Sequence, residues 1–289
     1  MNWKQVIPWA LVAPLMLILF TQAAFAQAVP ALLVPADARA LSMGGTALQR
    51  DADKLDVKAF YGIWAPGSAG NTLAGGDGFF RVSGRVSLSA EGRAFLDKPY
   101  QGSSPQGQAA GTFRPVDWIA GAGVKVGIAD AFAIGIKARV VSSAIAEDAK
   151  AFAFCGDVDF TYTGEIVTAS VGAHNLGSRI NYGGDASYPL PALAALQGCV
   201  NPLDGFTVSA GVDYLFSGAL MAGLGLEYSF SDIVSLRGGF HYGDPAKAIP
   251  TYVSFGLGLQ LAGVHFDAAF LTASKTLGNT LLFSLGYAF

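Results

Sequence analysis

Three histidines, His174, His241 and His265, and two cysteines, Cys155 and Cys199, are all the imidazole and thiol groups this chain has. His241 and His265 fall on different segments. No Ser, His and Asp set stands at a spacing that suits a nucleophile, and no His or Cys pair has metal-ligand spacing. The sequence therefore offers no catalytic residues, no metal site and no cofactor site, and a non-enzymatic protein is expected. Gly121-Ala-Gly123 and Gly223-Leu-Gly225 lie inside segments of two-residue period with no helix after them, so they are not phosphate loops. With no basic tract and a formal net charge of −3, nucleic acid is not an expected partner. What remains is the chemistry of paired charges. Glu227 and Arg237 lie on the two arms of a hairpin whose turn centres near Asp232, so their spacing predicts a structural ion pair facing inward across the strands. Arg81, Arg85, Lys125, Lys137, Arg139, Asp157, Asp159, Asp213, His241 and Asp267 take inward positions on the same alternation. An interior of mixed sign predicts a plugged or braced lumen, since an open ion pore shows one dominant sign along its path.

The elements that carry these charges are strands. At the C-terminus Leu281, Phe283, Leu285, Tyr287 and Phe289 alternate with Ser284, Gly286 and Ala288, one face fit for hydrocarbon and the other for a small or polar interior. Phe283, Leu285, Tyr287 and Phe289 read as the terminal assembly signal of an outer-membrane barrel. Phe206 to Tyr214, Leu220 to Tyr228, Val234 to Tyr242, Thr251 to Leu261 and Val264 to Phe270 repeat the period. So do Val57 to Trp64, Phe80 to Ala90, Trp118 to Ile128, Ile134 to Val140, Phe152 to Tyr162 and Val167 to Ala173, with a weaker segment at Pro189 to Ala195. Hydrophobic residues are 52% and charged residues only 13%, yet after the N-terminus no run approaches the roughly 20 apolar residues a membrane helix needs. Dispersed hydrophobicity without helical spans means strands, and in lipid the strands must close. The expected fold is all-β: a transmembrane antiparallel β-barrel of about 14 strands, with 12 as the alternative. About thirteen segments are legible, and the missing strand is expected within Arg81 to Phe95 or before Asp56.

Lys4, the apolar stretch from Val6 to Phe20 and Ala24-Phe25-Ala26 read as a signal peptide over residues 1–26, cleaved before Gln27. The expected location is the outer membrane of a Gram-negative bacterium, with outer-membrane lipid around the barrel. Residues 27–54 form an N-terminal plug or periplasmic lead, and 55–289 the barrel. With the C-terminus in the periplasm, segments near 97–116, 175–186, 243–250 and 273–279 fall outside the cell. Gln197 to Gly205 becomes a nine-residue periplasmic connection, long for that side. This register sets Cys155 inward on a strand and Cys199 in that connection, too far apart to bond.

Ala38-Arg-Ala-Leu-Ser-Met-Gly-Gly45, Gly156-Asp157, Val171-Gly-Ala-His-Asn-Leu-Gly177, Tyr188-Pro-Leu-Pro191 and Leu277-Gly-Asn-Thr-Leu-Leu-Phe-Ser-Leu285 together resemble the PorV/PorQ proteins of the Bacteroidota type IX secretion system, relatives of the FadL long-chain fatty-acid transporters. Asp51 to Asp56 departs from the pattern. The resemblance implies a barrel that binds secreted cargo or translocon partners, and a segment from Ala36 to Asp53 that folds inward as a plug with Gly44 and Gly45 allowing close approach. A FadL-like channel, with a fatty acid or other lipid in the lumen beside Met221, Leu271 and Leu282, is the alternative, and a general porin ranks third.

Overall fold

The two-residue period closes on itself. The computed structural model describes residues 27–35, 37–46, 48, 54–103 and 109–289; the expected signal peptide, residues 1–26, lies outside them. Fourteen antiparallel strands form a closed barrel: β1 (Leu55–Trp64), β2 (Asn71–Arg81), β3 (Val86–Leu96), β4 (Val116–Ala129), β5 (Phe132–Ala144), β6 (Lys150–Thr163), β7 (Val167–Gly177), β8 (Leu193–Leu203), β9 (Phe206–Leu215), β10 (Ala219–Phe230), β11 (Val234–Gly243), β12 (Tyr252–Leu261), β13 (Val264–Thr272) and β14 (Leu281–Ala288). Closure comes from β1 pairing with β14, Val57 opposite Tyr287 and Ile63 opposite Leu281, so no edge is left unpaired. No helix among the described residues is long and apolar enough to cross a membrane.

Alternation sorts the side chains. On β10, Leu220, Leu224, Leu226 and Tyr228 are exposed on the outer wall while Met221, Gly225 and Glu227 are buried inside. Phe283, Leu285, Tyr287 and Phe289 lie on the outer wall, and the Phe289 carbonyl accepts from the Lys54 and Leu55 amides at the seam. One end of the barrel has short turns, among them Asp204-Gly205 and Ala262-Gly263, with Gly205, Ala262 and Gly263 in left-handed conformations that suit tight hairpins. The other end carries the long connections, two of which contain small hairpins of their own, Tyr100–Ser103 with Ala109–Phe113 and Arg179–Ile180 with Tyr188–Pro189.

Four sequence expectations need correction: the strand Phe80 to Ala90, the lumenal place of Arg85, the connection from Gln197 to Gly205 and the place of Cys199 in it. Phe80 to Ala90 is not one strand: it joins the end of β2, a turn and the start of β3. Arg81 ends β2 facing inward, but Arg85 sits in that turn and is exposed, outside the lumen. Most of β2 is silent in the sequence, because its outward positions Thr72, Ala74, Gly76 and Gly78 carry no apolar bulk before Phe80. The nine-residue connection at Gln197 does not exist either. β8 continues to Leu203 through a register shift between Val200 and Leu203 that accommodates Pro202, leaving a two-residue turn. Cys199 therefore lies within β8 opposite Thr168 and Ser209, two strands away from Cys155 on β6, and both thiols are free.

The interior is filled by the chain's own N-terminal part. A 3-10 turn at Pro30–Leu33 and a short helix α1 (Ala38–Ser42) lie inside the barrel. Asp37 caps α1, accepting from the Arg39 amide at 2.7 Å. Leu41 and Val34 pack with Trp64, Met221, Tyr252, Leu271 and Leu282, and Ala28 to Leu32 pack with Ile119, Val141 and Ala153 on the opposite wall.

Candidate functional site

The plug rests on a floor that only small residues permit. Gly223, Gly225, Gly239 and Gly256 face inward where Ser42, Met43 and Gly44 cross the wall. A Cβ at 225 would stand 2.6 Å from the Met43 carbonyl oxygen, and one at 239 would overlap the Gly44 nitrogen. Gly44 and Gly45 take φ of 68° and 82°, the left-handed region that ends α1 and turns the chain. Wall hydroxyls then tie the backbone down. Ser254 Oγ donates to the Ser42 carbonyl at 3.0 Å, Ser284 Oγ accepts from the Ala38 amide at 3.1 Å, and Thr46 and Ser209 share a hydroxyl bond of 2.7 Å.

Charge fixes the same element. Glu227 and Arg237 are register partners on β10 and β11, with Nε to Oε2 at 2.5 Å. Arg237 reaches on to Asp267 at 2.5 Å. The third partner comes from the plug: Arg39 Nε and Nη2 donate to the two Glu227 oxygens at 2.8 and 3.1 Å, while Nη1 donates to the Leu48 carbonyl at 3.1 Å. Glu227 is 1% exposed, so this carboxylate between two guanidiniums is sealed from water. Lys58 on β1 holds the other end of α1, Nζ to Asp37 Oδ2 at 2.5 Å, and lies 3.5 Å from Asp77. Burial opposes ionisation of Asp37, but the Lys58 ammonium and the Arg39 amide outweigh it and hold its carboxyl below the ordinary value of 3.8. A depressed carboxyl stabilises the docked plug above its ordinary value, and that contribution is lost as pH falls through the folded value. Hydrogen exchange at Ala38–Ser42 is therefore expected to accelerate below pH 3.8, and Asp37→Asn should remove the pH dependence.

A second cluster braces the opposite wall. Glu91 accepts from Arg139 and from Lys137 at 3.3 Å; Arg139 also contacts the Asp157 carboxylate at 2.6 Å, and Asp157 accepts from the Asn175 amide at 2.9 Å. His174 Nε2 lies 2.8 Å from Asp159, and Arg93 donates to the plug carbonyl of Val34 at 2.9 Å. Lys125 and Asp213 also face inward and are partly buried, Asp213 close enough to His174 for the two charges to interact. His241 stands under the plug, Nδ1 3.2 Å from the Gly44 carbonyl oxygen. Alternation could place Glu227 against Arg237 because both are strand residues. It could not supply Arg39, Asp37 and Lys58 as a set, although the Ala38-Arg39-Ala40 motif was a signal for the first. Glu91 and Arg93 lie on β3 just beyond Ala90, where the legible segment ends.

Above the plug, toward the long-loop end, lies a cavity of about 760 Å³. Val29, Leu33 and Val34 of the N-terminal segment form its floor, Trp64, Phe95, Ile249 and Leu277 its walls, with Asp97, Asp117 and Tyr182 also on its lining. Gln27 donates to Ser217 Oγ at 2.5 Å and the Ala28 amide donates to the Pro189 carbonyl at 3.0 Å, anchoring the segment to the long connections.

A closed 14-strand barrel with its own N-terminal segment folded inside defines a class, the plugged transmembrane β-barrels. Within it, the solved structures most similar in fold include the Ralstonia pickettii toluene transporter TbuX (TM-score 0.59, 13% identity, covering 93% of this chain and 96% of that one). The Pseudomonas putida toluene transporter TodX matches with a TM-score of 0.57 at 11% identity over 94% and 99%. A Pseudomonas aeruginosa FadL homologue matches at 0.50 and 12% identity over 92% and 98%. The chain thus has the FadL-like barrel fold. No protein-family model matches its sequence, and no curated protein is significantly similar to it.

Proposed function

We propose that this protein is a non-enzymatic outer-membrane channel that takes up small hydrophobic molecules through its long-loop end. The observation that carries the reading is the apolar vestibule, floored by the N-terminal segment and walled by Trp64, Phe95, Ile249 and Leu277. Its volume and lining suit an apolar guest, and the barrels of like fold include toluene transporters. The long-loop end faces the outside, as is usual for outer-membrane barrels. Passage then requires the plug to leave its seat on Glu227 and the glycine floor. Deleting the gene should slow uptake of radiolabelled toluene or a long-chain fatty acid, and Trp replacing Ala65 and Ile249, which narrows the vestibule, should reproduce the defect in a folded barrel. Unchanged uptake in both strains would remove the reading.

A second reading keeps the secretion role that the PorV/PorQ resemblance implies, with translocon or cargo partners bound at the long connections. What favours it is the bracing: ion pairs on both walls hold the interior as a scaffold would. Pull-down from native membranes separates the two, since a channel needs no translocon partner.

A further inference from the structure

One arc of the vestibule wall carries negative charge. Asn71, Asp97 and Asp117 all line the cavity, on a wall that is otherwise largely apolar. The strand register brings them together: Thr72 pairs with Leu96, so Asn71 and Asp97 continue one ladder, and Asp117 pairs with Phe95, two residues from Asp97. The Asp97 amide donates to the Pro115 carbonyl at 3.0 Å, which carries the same ladder on to β4. Neighbouring members of the arc therefore stand within about 8 Å of each other. Asp97 and Asp117 are close enough for their charges to interact.

The arc is short of positive charge. Both carboxylates are half-buried, and no cation acts on either of them. Arg114 donates to the backbone carbonyl of Asp97 at 2.9 Å, and Lys247, the cation among the described lining residues, is exposed to solvent. Asp117 has Ser143, its register partner on β5, which in turn shares a hydroxyl bond of 2.8 Å with Tyr182. Asn71 is 5% exposed and lines the cavity with no hydrogen-bond partner for its carboxamide among the described residues. Buried polar groups are costly when unpaired, and like charges side by side add to that cost. A primary ammonium answers all three side chains, because its three N–H donors match two carboxylates and the Asn71 Oδ1. A hydrocarbon pairs with none of them, and a carboxylate would bring a third negative charge. Nor is the arc a metal cage, since no three His, Cys, Asp or Glu side chains gather among the described residues.

We propose that Asn71, Asp97 and Asp117 bind the ammonium group of an otherwise apolar guest, so that the preferred substrates are hydrophobic primary amines such as arylalkylamines. The inference rests on the uptake reading above and names its substrate class. Binding of 4-methylbenzylamine, p-xylene and p-toluate to the purified full barrel near neutral pH, with empty micelles subtracted, tests it. Wild type should bind the amine most tightly and the carboxylate least. Asp97→Asn and Asp117→Asn keep side-chain volume and remove one charge each. Each should lower the amine-to-xylene affinity ratio about tenfold, the worth of one charge-assisted hydrogen bond, in a barrel whose heat-modifiable migration is normal. Asp97→Asn lies beyond the end of β3, so it reports on the site even if the strand position proves sensitive. If wild type binds xylene as tightly as the amine, or if neither variant lowers the ratio, the ammonium site is overturned while the channel stands. If wild type binds none of the three, the uptake reading itself falls.

Discussion

Replacing Glu227 by Gln is expected to unseat the plug. The change keeps the volume of the side chain and removes the one charge that Arg39 and Arg237 share, at a site 1% exposed to solvent. Arg237 still has Asp267, but Arg39 loses its counter-charge and one of the two acceptor oxygens it grips, with an amide NH2 set against its own donors. Removing one partner from a buried pair costs about 3 kcal/mol or more, because the remaining charge stays desolvated. At 1.4 kcal/mol per factor of ten, the docked state should lose about a hundredfold in population. Trypsin should then cleave at Arg39 in the folded barrel, and planar-bilayer conductance should rise. Arg39→Met combined with Glu227→Met should do less harm than Glu227→Gln alone, since matched apolar groups often replace a buried pair at little cost. If Glu227→Gln leaves Arg39 protected, the ion pair does not hold the plug.

Gly239→Val should have a similar effect by a route that leaves every charge in place. Its Cβ would overlap the Gly44 nitrogen and the Met43 carbonyl carbon, both backbone atoms pinned by α1 and by Ser254. Neither can rotate away as a flexible side chain would. The barrel itself should tolerate the change, because Gly239 lies mid-strand opposite Gly225 and Ser254 and a β-branched residue suits a strand. The expected result is a folded barrel with normal heat-modifiable migration, an exposed Arg39 and raised conductance. Gly238→Val, one residue earlier on the outer wall where an added Cβ meets nothing, is the control and should change none of these.

How far the sequence carries can be traced residue by residue. Leu224, Leu226, Phe240 and Phe283 alternate with Gly and Ser, so the strands from Phe206 onward and their register were legible. Most of β2 was not, because a strand with Thr72, Ala74, Gly76 and Gly78 outward gives a period of two with no amplitude. β8 was cut short because Pro202 reads as a turn until a register shift is seen to absorb it. In the lumen, Glu227 and Arg237 could be paired from hairpin geometry alone. Arg39 with Glu227 and Lys58 with Asp37 could not be, since both join the plug to strands distant in the sequence. The vestibule was equally invisible, being assembled from residues between Gln27 and Leu277 that only closure brings together.

The most direct measurement is uptake with the plug locked in place. In a background with Cys155→Ser and Cys199→Ser, Ala38→Cys and Ser284→Cys set two thiols where the plug amide now meets the wall hydroxyl at 3.1 Å. With the disulfide formed, uptake of toluene by cells carrying this barrel should fall to the level of the deletion strain and return on adding a reductant. Uptake that continues at the wild-type rate with the plug bonded to β14 would contradict the account, because the guest would then be crossing by a path the plug does not control.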